Sequence, residues 1–208
     1  MQGQSTKRSR GQNGPGRPRS LAADQAILRA ALELFIEYGI DGASIEQIAA
    51  RARVARTTLY RRWSSKEAVI AQAIAVARGA PERQAAVNRV ALRSLPRLLV
   101  NALADTLTTP DSPKLAARLI GSVPSCPELM AVYWNNYLVP RREIIGKVLE
   151  RACAEGLIRE DSDPEILLDL MGGAIIYHLL VRPGNRGVRE MRTYLFKVLR
   201  QLGLGEAL

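Results

Sequence analysis

GASIEQIAARARVARTTLYRRWSSKEAVI, from Gly42 to Ile70, decides the fold. Ser44-Ile45-Glu46-Gln47 has the form of a capping box: the serine hydroxyl takes the amide three residues on, and that residue's side chain reaches back. It opens a helix to about Arg51. After Ala52-Arg53-Val54 a short helix covers about Ala55 to Arg62. Ser64-Ser65-Lys66-Glu67 is a second capping box and opens a helix with Val69, Ile70, Ala73 and Ile74, ending near Gly79. Two short helices joined by a three- or four-residue turn make a helix-turn-helix, whose second helix can lie in a major groove. Ile45, Ile48, Ala49, Val54, Leu59 and Trp63 are its inward positions. Arg56, Thr57, Tyr60 and Arg61 point outward with Arg62 beside them, and no acid occurs from Arg51 to Lys66.

Upstream, Ile27, Leu28, Ala31, Leu34, Phe35 and Tyr38 recur at helical steps from Leu21 onward. Gly39-Ile40 reads as the stop, with glycine in the left-handed cap and isoleucine packing back. Residues 1–20 hold Lys7, Arg8, Arg10, Arg17 and Arg19 with no acid among Gly, Ser and Pro, and this composition predicts a disordered basic arm. A solubilising tail and an arm that follows DNA phosphates or a minor groove, through Arg17 and Arg19, both fit. The chain carries 30 Lys and Arg against 20 Asp and Glu, a net +10, and residues 1–66 hold twelve cations and five acids of these. Such a balance favours a polyanionic partner.

Downstream the pattern stays helical, punctuated by proline. Helices are expected over about 82–107 with Pro96 inside, 113–122, 127–155 kinked at Pro140, 164–181 after an Asp163 cap, and 187–202. The total is nine helices in an all-α chain of 208 residues. No uninterrupted apolar run of about 18 residues exists, so no membrane partner is expected. Cys126 and Cys153 form no CxxC and fit a reducing cytoplasm. His178 is the single histidine, and no P-loop, HExxH or Ser/His/Asp constellation occurs; neither an enzyme nor a cofactor or metal is expected.

The order of residues from Gly42 to Ile70 resembles the DNA-binding domain of the TetR family of bacterial transcription regulators. The resemblance implies an inverted-repeat operator in double-stranded DNA, bound by a homodimer in the bacterial cytoplasm, at the nucleoid. It also implies roles. Arg56 is placed to take guanine O6 and N7. Thr57 and Thr58 suit a thymine methyl or a phosphate, with inward packing the alternative for Thr58, while Tyr60, Arg61, Arg62, Lys66 and Ser44 suit phosphates, with capping alone the alternative for Ser44. Two positions depart from the family's usual Ala-Gly-Val-Ser. Arg53 stands where glycine often takes a left-handed backbone, a strain of about 1 kcal/mol. Ala55 stands where serine caps, a loss of about 0.5–2 kcal/mol. A phosphate contact by Arg53 would offset part of this.

The expected division is a basic arm at 1–20, the DNA-binding domain at 21–66 linked by helix 65–79, and an effector-binding and dimerisation domain at 80–208. Residues 166–181 are apolar on more than one face, with twelve apolar side chains in sixteen positions, so that helix needs two buried surfaces. A dimer interface of Leu167, Met171, Ala174, His178, Tyr194, Leu195, Val198 and Leu199 is the expectation. For a small apolar effector the candidates are Leu103, Leu107, Met130, Tyr133, Trp134, Tyr137 and Tyr177, with ordinary core packing as the alternative. A repressor released by that effector is the leading reading; a regulator without a small ligand is the alternative.

Overall fold

The computed structural model describes residues 21–79, 94–159, 161–184 and 187–204. The expected arm, with Arg17 and Arg19, and the first turns of the helix expected from 82 lie outside the described residues. Those described form α1 (Leu21–Gly42), α2 (Ile45–Arg51), α3 (Arg56–Tyr60), α4 (Lys66–Ala77), α5 (Leu95–Leu107), α6 (Ser112–Gly121), α7 (Pro127–Tyr133), a π-helical turn (Trp134–Leu138), α8 (Val139–Ala154), α9 (Pro164–Leu180) and α10 (Val188–Gln201). No strand occurs among the described residues, and with α7, the π-turn and α8 taken as one continuous helix they hold nine helices.

Local chemistry sets most boundaries. Gly39 interrupts α1 at φ 75°, and Ile40 folds back into the core. Ser44 makes a reciprocal capping box with Gln47 at 3.1 and 2.9 Å. The box expected at Ser64 is replaced by a one-sided cap one residue later. Ser65 Oγ accepts from the Ala68 amide at 3.1 Å, and alanine has no side chain to return the bond. Asp163 caps α9 through the amides of Glu165 and Ile166. Pro96 stands in the first turn of the described α5 rather than bending it, where a missing N–H costs nothing. The bend expected at Pro140 is a register shift instead. The Val139 amide reaches back five residues to the Trp134 carbonyl, so the helix adjusts just before the proline.

Packing puts α1 and α4 side by side at the centre of the largest apolar cluster. Phe35, Ile48, Leu59, Ile70 and Ile74 are fully buried there. The same cluster takes in Leu115 and Leu119 of α6 and Leu129 and Tyr133 of α7. A second cluster joins α5, α9 and α10 around Val100, Ala104, Leu179, Met191 and Leu195. A third joins α8 to α9 through Leu149, Ala152, Leu167 and Leu168.

Candidate nucleic-acid interface and effector cavity

α3 stands on the surface because its underside is apolar. Leu59 and Trp63 are buried against α1, α2 and α4, and Trp63 Nε1 donates to Gln72 Oε1 of α4 at 2.6 Å. The opposite face holds Arg56, Thr57, Tyr60 and Arg61, all exposed. Thr58 and Ser44 are half-buried at its edge, Ser44 with its hydroxyl committed to the cap. Arg53 has φ 55°, the left-handed backbone expected of that turn, and Ala55 leaves α3 without a side-chain cap.

Three cations have partners that local spacing does not reveal. Arg56 Nη1 donates to Glu46 Oε1 of α2 at 3.0 Å, with both side chains more than half exposed. A backbone amide at the start of α2 and then this guanidinium hold the Glu46 carboxyl below the usual carboxylate range. The pair is a surface one, so it aims Arg56 and gives way to a stronger partner. Arg62 was expected beside the outward set. It turns inward, is mostly buried, and pairs with Asp24 Oδ1 of α1 at 2.7 Å. Lys66 donates to the Ile40 carbonyl at 2.7 Å, tying the start of α4 to the chain beyond the Gly39 break. Arg62 and Lys66 thus brace α1 against the helix-turn-helix. Arg51 adds a third brace, to Glu37 at 3.2 Å.

The carbonyls of Ile36 and Glu37 lie in the last turn before the Gly39 break. Arg118 of α6 takes both, Nε to Ile36 O at 3.3 Å and Nη2 to Glu37 O at 2.9 Å. A guanidinium from the C-terminal half therefore caps the helix that supports the helix-turn-helix.

Between α5, α6, α7, the π-turn, α8 and α9, with Arg78 at the end of α4, lies a cavity of about 460 Å3. Leu103, Leu107, Met130, Tyr133 and Trp134 line it together, as the sequence reading grouped them. Tyr137 does not line it; its ring packs against Tyr133 at a centroid distance of 6.0 Å. Tyr177 does not line it either. It sits on the outer side of α9, 57% exposed, because the helix turns it away from α5. The wall also takes in residues that local spacing does not reveal, among them Arg78, Arg141, Arg142, Ile145, Met171 and Asp169. Arg142 bridges Glu165 and Asp169 of α9 and lies over the Trp134 ring at 5.3 Å. Burial pushes the Tyr133 phenol above its usual range, against the opposing pull of Arg78 and Arg141.

α9 does have two apolar faces, but their phase differs from the expectation. Leu167, Leu195 and Leu199 are buried within the chain's own core, and Met171 packs there too. His178 is buried and stacks on Tyr194 at 4.1 Å, and the Tyr194 hydroxyl donates to the Ala174 carbonyl at 3.0 Å. Ala174 and Val198 stay half-buried beside the groove between α9 and α10. The outward stripe is Ile166 (53% exposed), Leu170 (53%), Tyr177 and Val181 (62%). A helix apolar all round carries no moment to tell which side is in, so the packing of α6, α8 and α10 against it fixes the phase.

Residues 27–80 match the model of the bacterial regulatory proteins of the tetR family, and 92–194 match a tetracyclin repressor-like C-terminal domain. An uncharacterized HTH-type transcriptional regulator of Bacillus subtilis, YdeS, is 32% identical over 191 residues, 88% of this chain and 92% of the relative. Among solved structures, FadR of Bacillus subtilis in complex with stearoyl-CoA shares the fold at TM-score 0.62 and 19% identity, covering 87% of this chain and 98% of that one. A regulator from Saccharomonospora viridis in complex with choline does so at TM-score 0.60 and 21% identity, covering 86% and 95%. With its helix-turn-helix, its helical C-terminal half and a relative matching over nearly its whole length, the chain belongs to the TetR family of transcriptional regulators.

Proposed function

We propose that this regulator is a dimeric repressor whose α3 reads an inverted repeat in double-stranded DNA and whose cavity takes a small molecule that ends the reading. Residues 21–66 act as the reading head, α4 is the link, and 80–208 form the effector and dimerisation domain. The observation that carries the proposal is the face of α3: Arg56, Thr57, Tyr60 and Arg61 exposed together over buried Leu59 and Trp63. Arg56 leaves Glu46 for a guanine edge, a bidentate contact that outcompetes an exposed ion pair. Thr57, Thr58, Tyr60, Arg61, Arg53 and the α2 N-terminus at Ser44 take phosphates and set the register. Arg62 and Lys66 act from behind by holding α1 and α4 in place.

The stripe of Ile166, Leu170, Tyr177 and Val181 supports a twofold partner, since self-complementary apolar faces favour a closed dimer. Two reading heads would then address half-sites about 34–36 Å apart. An effector shifts this dimer only by binding the non-reading arrangement more tightly. Arg118 and α4 give it a mechanical route to α1. The complexes of two regulators of this fold with stearoyl-CoA and choline support a small-molecule ligand.

Selection of the purified protein on random duplex DNA at physiological salt, read by sequencing, tests the proposal. An enriched inverted repeat is the expected result, and sedimentation of the complex should give two chains per duplex. Weak, salt-sensitive binding without an enriched motif would refute a sequence reader.

A further inference from the structure

The two ends of α4 differ in what they touch. Its N-terminus, capped by Ser65, belongs to the helix-turn-helix, and its C-cap, Arg78, lines the cavity. Twelve residues of helix separate them, about 18 Å. Among the described residues the Arg78 Nε–H is buried and has no hydrogen-bond partner. A buried donor of a charged group left unsatisfied is costly, and an acceptor from outside the chain, whether an ordered water, an ion or a ligand oxygen, relieves it. Arg141 stands close enough for both guanidiniums to act on the Tyr133 phenol. Among the described residues of the wall the one carboxylate, Asp169, is already bound by Arg142. The remainder of the wall is aliphatic and aromatic. Leu99, Leu103, Ile145, Leu168 and Met171 also border a smaller apolar void of about 70 Å3 deeper in the core. The cavity is thus cationic at the end of α4 and apolar toward the interior.

Building on the reading of this cavity as the effector site, we infer that its ligand is an anionic amphiphile, with an oxygen-bearing acidic head held by Arg78 and Arg141 and an apolar body lying toward Leu103, Ile145 and Met171. A choline-like cation meets two arginines there and is excluded by like charge. A neutral apolar molecule leaves the Arg78 donor unsatisfied. Because Arg78 ends the helix that starts at the reading head, the head group pulls on α4 directly, and ligand charge becomes the signal that DNA binding senses.

Calorimetric titration of the full-length protein with octanoate, octyl phosphate, octanol and octyltrimethylammonium, each below its micellar concentration, tests this. One or both anions should bind about tenfold tighter than the alcohol or the cation, the difference set by a charge-assisted hydrogen bond. Arg78→Met should weaken anion binding about tenfold and leave octanol within about twofold. Arg141→Met, the second variant, should act in the same direction. Equal binding of all four probes, or tightest binding of the cation, overturns the anionic head while leaving an amphiphile site. Binding of none, or binding unchanged by Leu103→Trp together with Met171→Trp, which place two indoles in the apolar part of the cavity, overturns the effector reading itself and the inference with it.

Discussion

α3 and α9 both present side chains to solvent, and the two faces could hardly differ more. On α3 the exposed groups are guanidinium, hydroxyl and phenol, supported from below by one buried leucine and one buried tryptophan. On α9 they are Ile166, Leu170, Tyr177 and Val181, with more leucine behind them. The first face keeps its charge in water until a polyanion replaces the water. The second holds large apolar groups in water that only another apolar surface relieves. Charge type, rather than exposure, separates the two surfaces, one cationic and hydroxylic and the other apolar.

The strongest way to break this contrast is to give α9 the character of α3. Leu170→Glu places two like charges near the proposed twofold axis at a cost of about 3 kcal/mol, about a hundredfold in the dimer constant. Sedimentation should show monomers at micromolar protein, with operator binding lost in parallel; an unchanged dimer would move the interface elsewhere. Arg56→Ala should cost about 1–3 kcal/mol of specific binding and relax the preference at one base pair in each half-site. Equal selectivity in the mutant would assign base reading to another residue. Arg118→Met should lower stability by about 1 kcal/mol, since two carbonyls at the Gly39 break lose their donor to water. It should also reduce the coupling between effector and operator, which is typically about 1–3 kcal/mol, while DNA affinity without effector stays close to wild type. Unchanged coupling would remove Arg118 from the route. The smallest effect belongs to Arg53→Gly, which relieves a left-handed backbone and should raise the unfolding temperature by about 2–4 °C. A fall instead would mean that the arginine side chain stabilises the turn.

The reading head was legible because its signals are local. Ser44 with Gln47, Gly39 with Ile40, and the positive φ at Arg53 are each decided within a few residues. Partners far along the chain were not legible. Arg62 looked like one more cation for phosphate until Asp24, thirty-eight residues away, claimed it. Lys66 found a carbonyl at Ile40, and Arg56 found Glu46 on the neighbouring helix. In the C-terminal half the aromatic concentration around Tyr133 and Trp134 marked the cavity, yet its arginines went unnoticed because they come from α4 and α8. α9 is apolar on two sides, and of the residues expected to face a partner, Leu167, Leu195 and Leu199 are buried in the chain's own core. Leu195 and Leu199 could be placed inward only once the packing of α10 was known.

The shared core of α1 and α4 with α6 and α7 bears on modularity. Leu115, Leu119, Leu129 and Tyr133 sit in one continuous apolar cluster with Phe35, Ile70 and Ile74. The reading head is therefore not a cassette that can be cut at the end of α4 and grafted onto another sensor. A chimera that exchanged heads would inherit a seam through the middle of a hydrophobic core. A workable exchange has to carry the matching faces of α6 and α7 along with the head, so operator choice and sensor framework are inherited together.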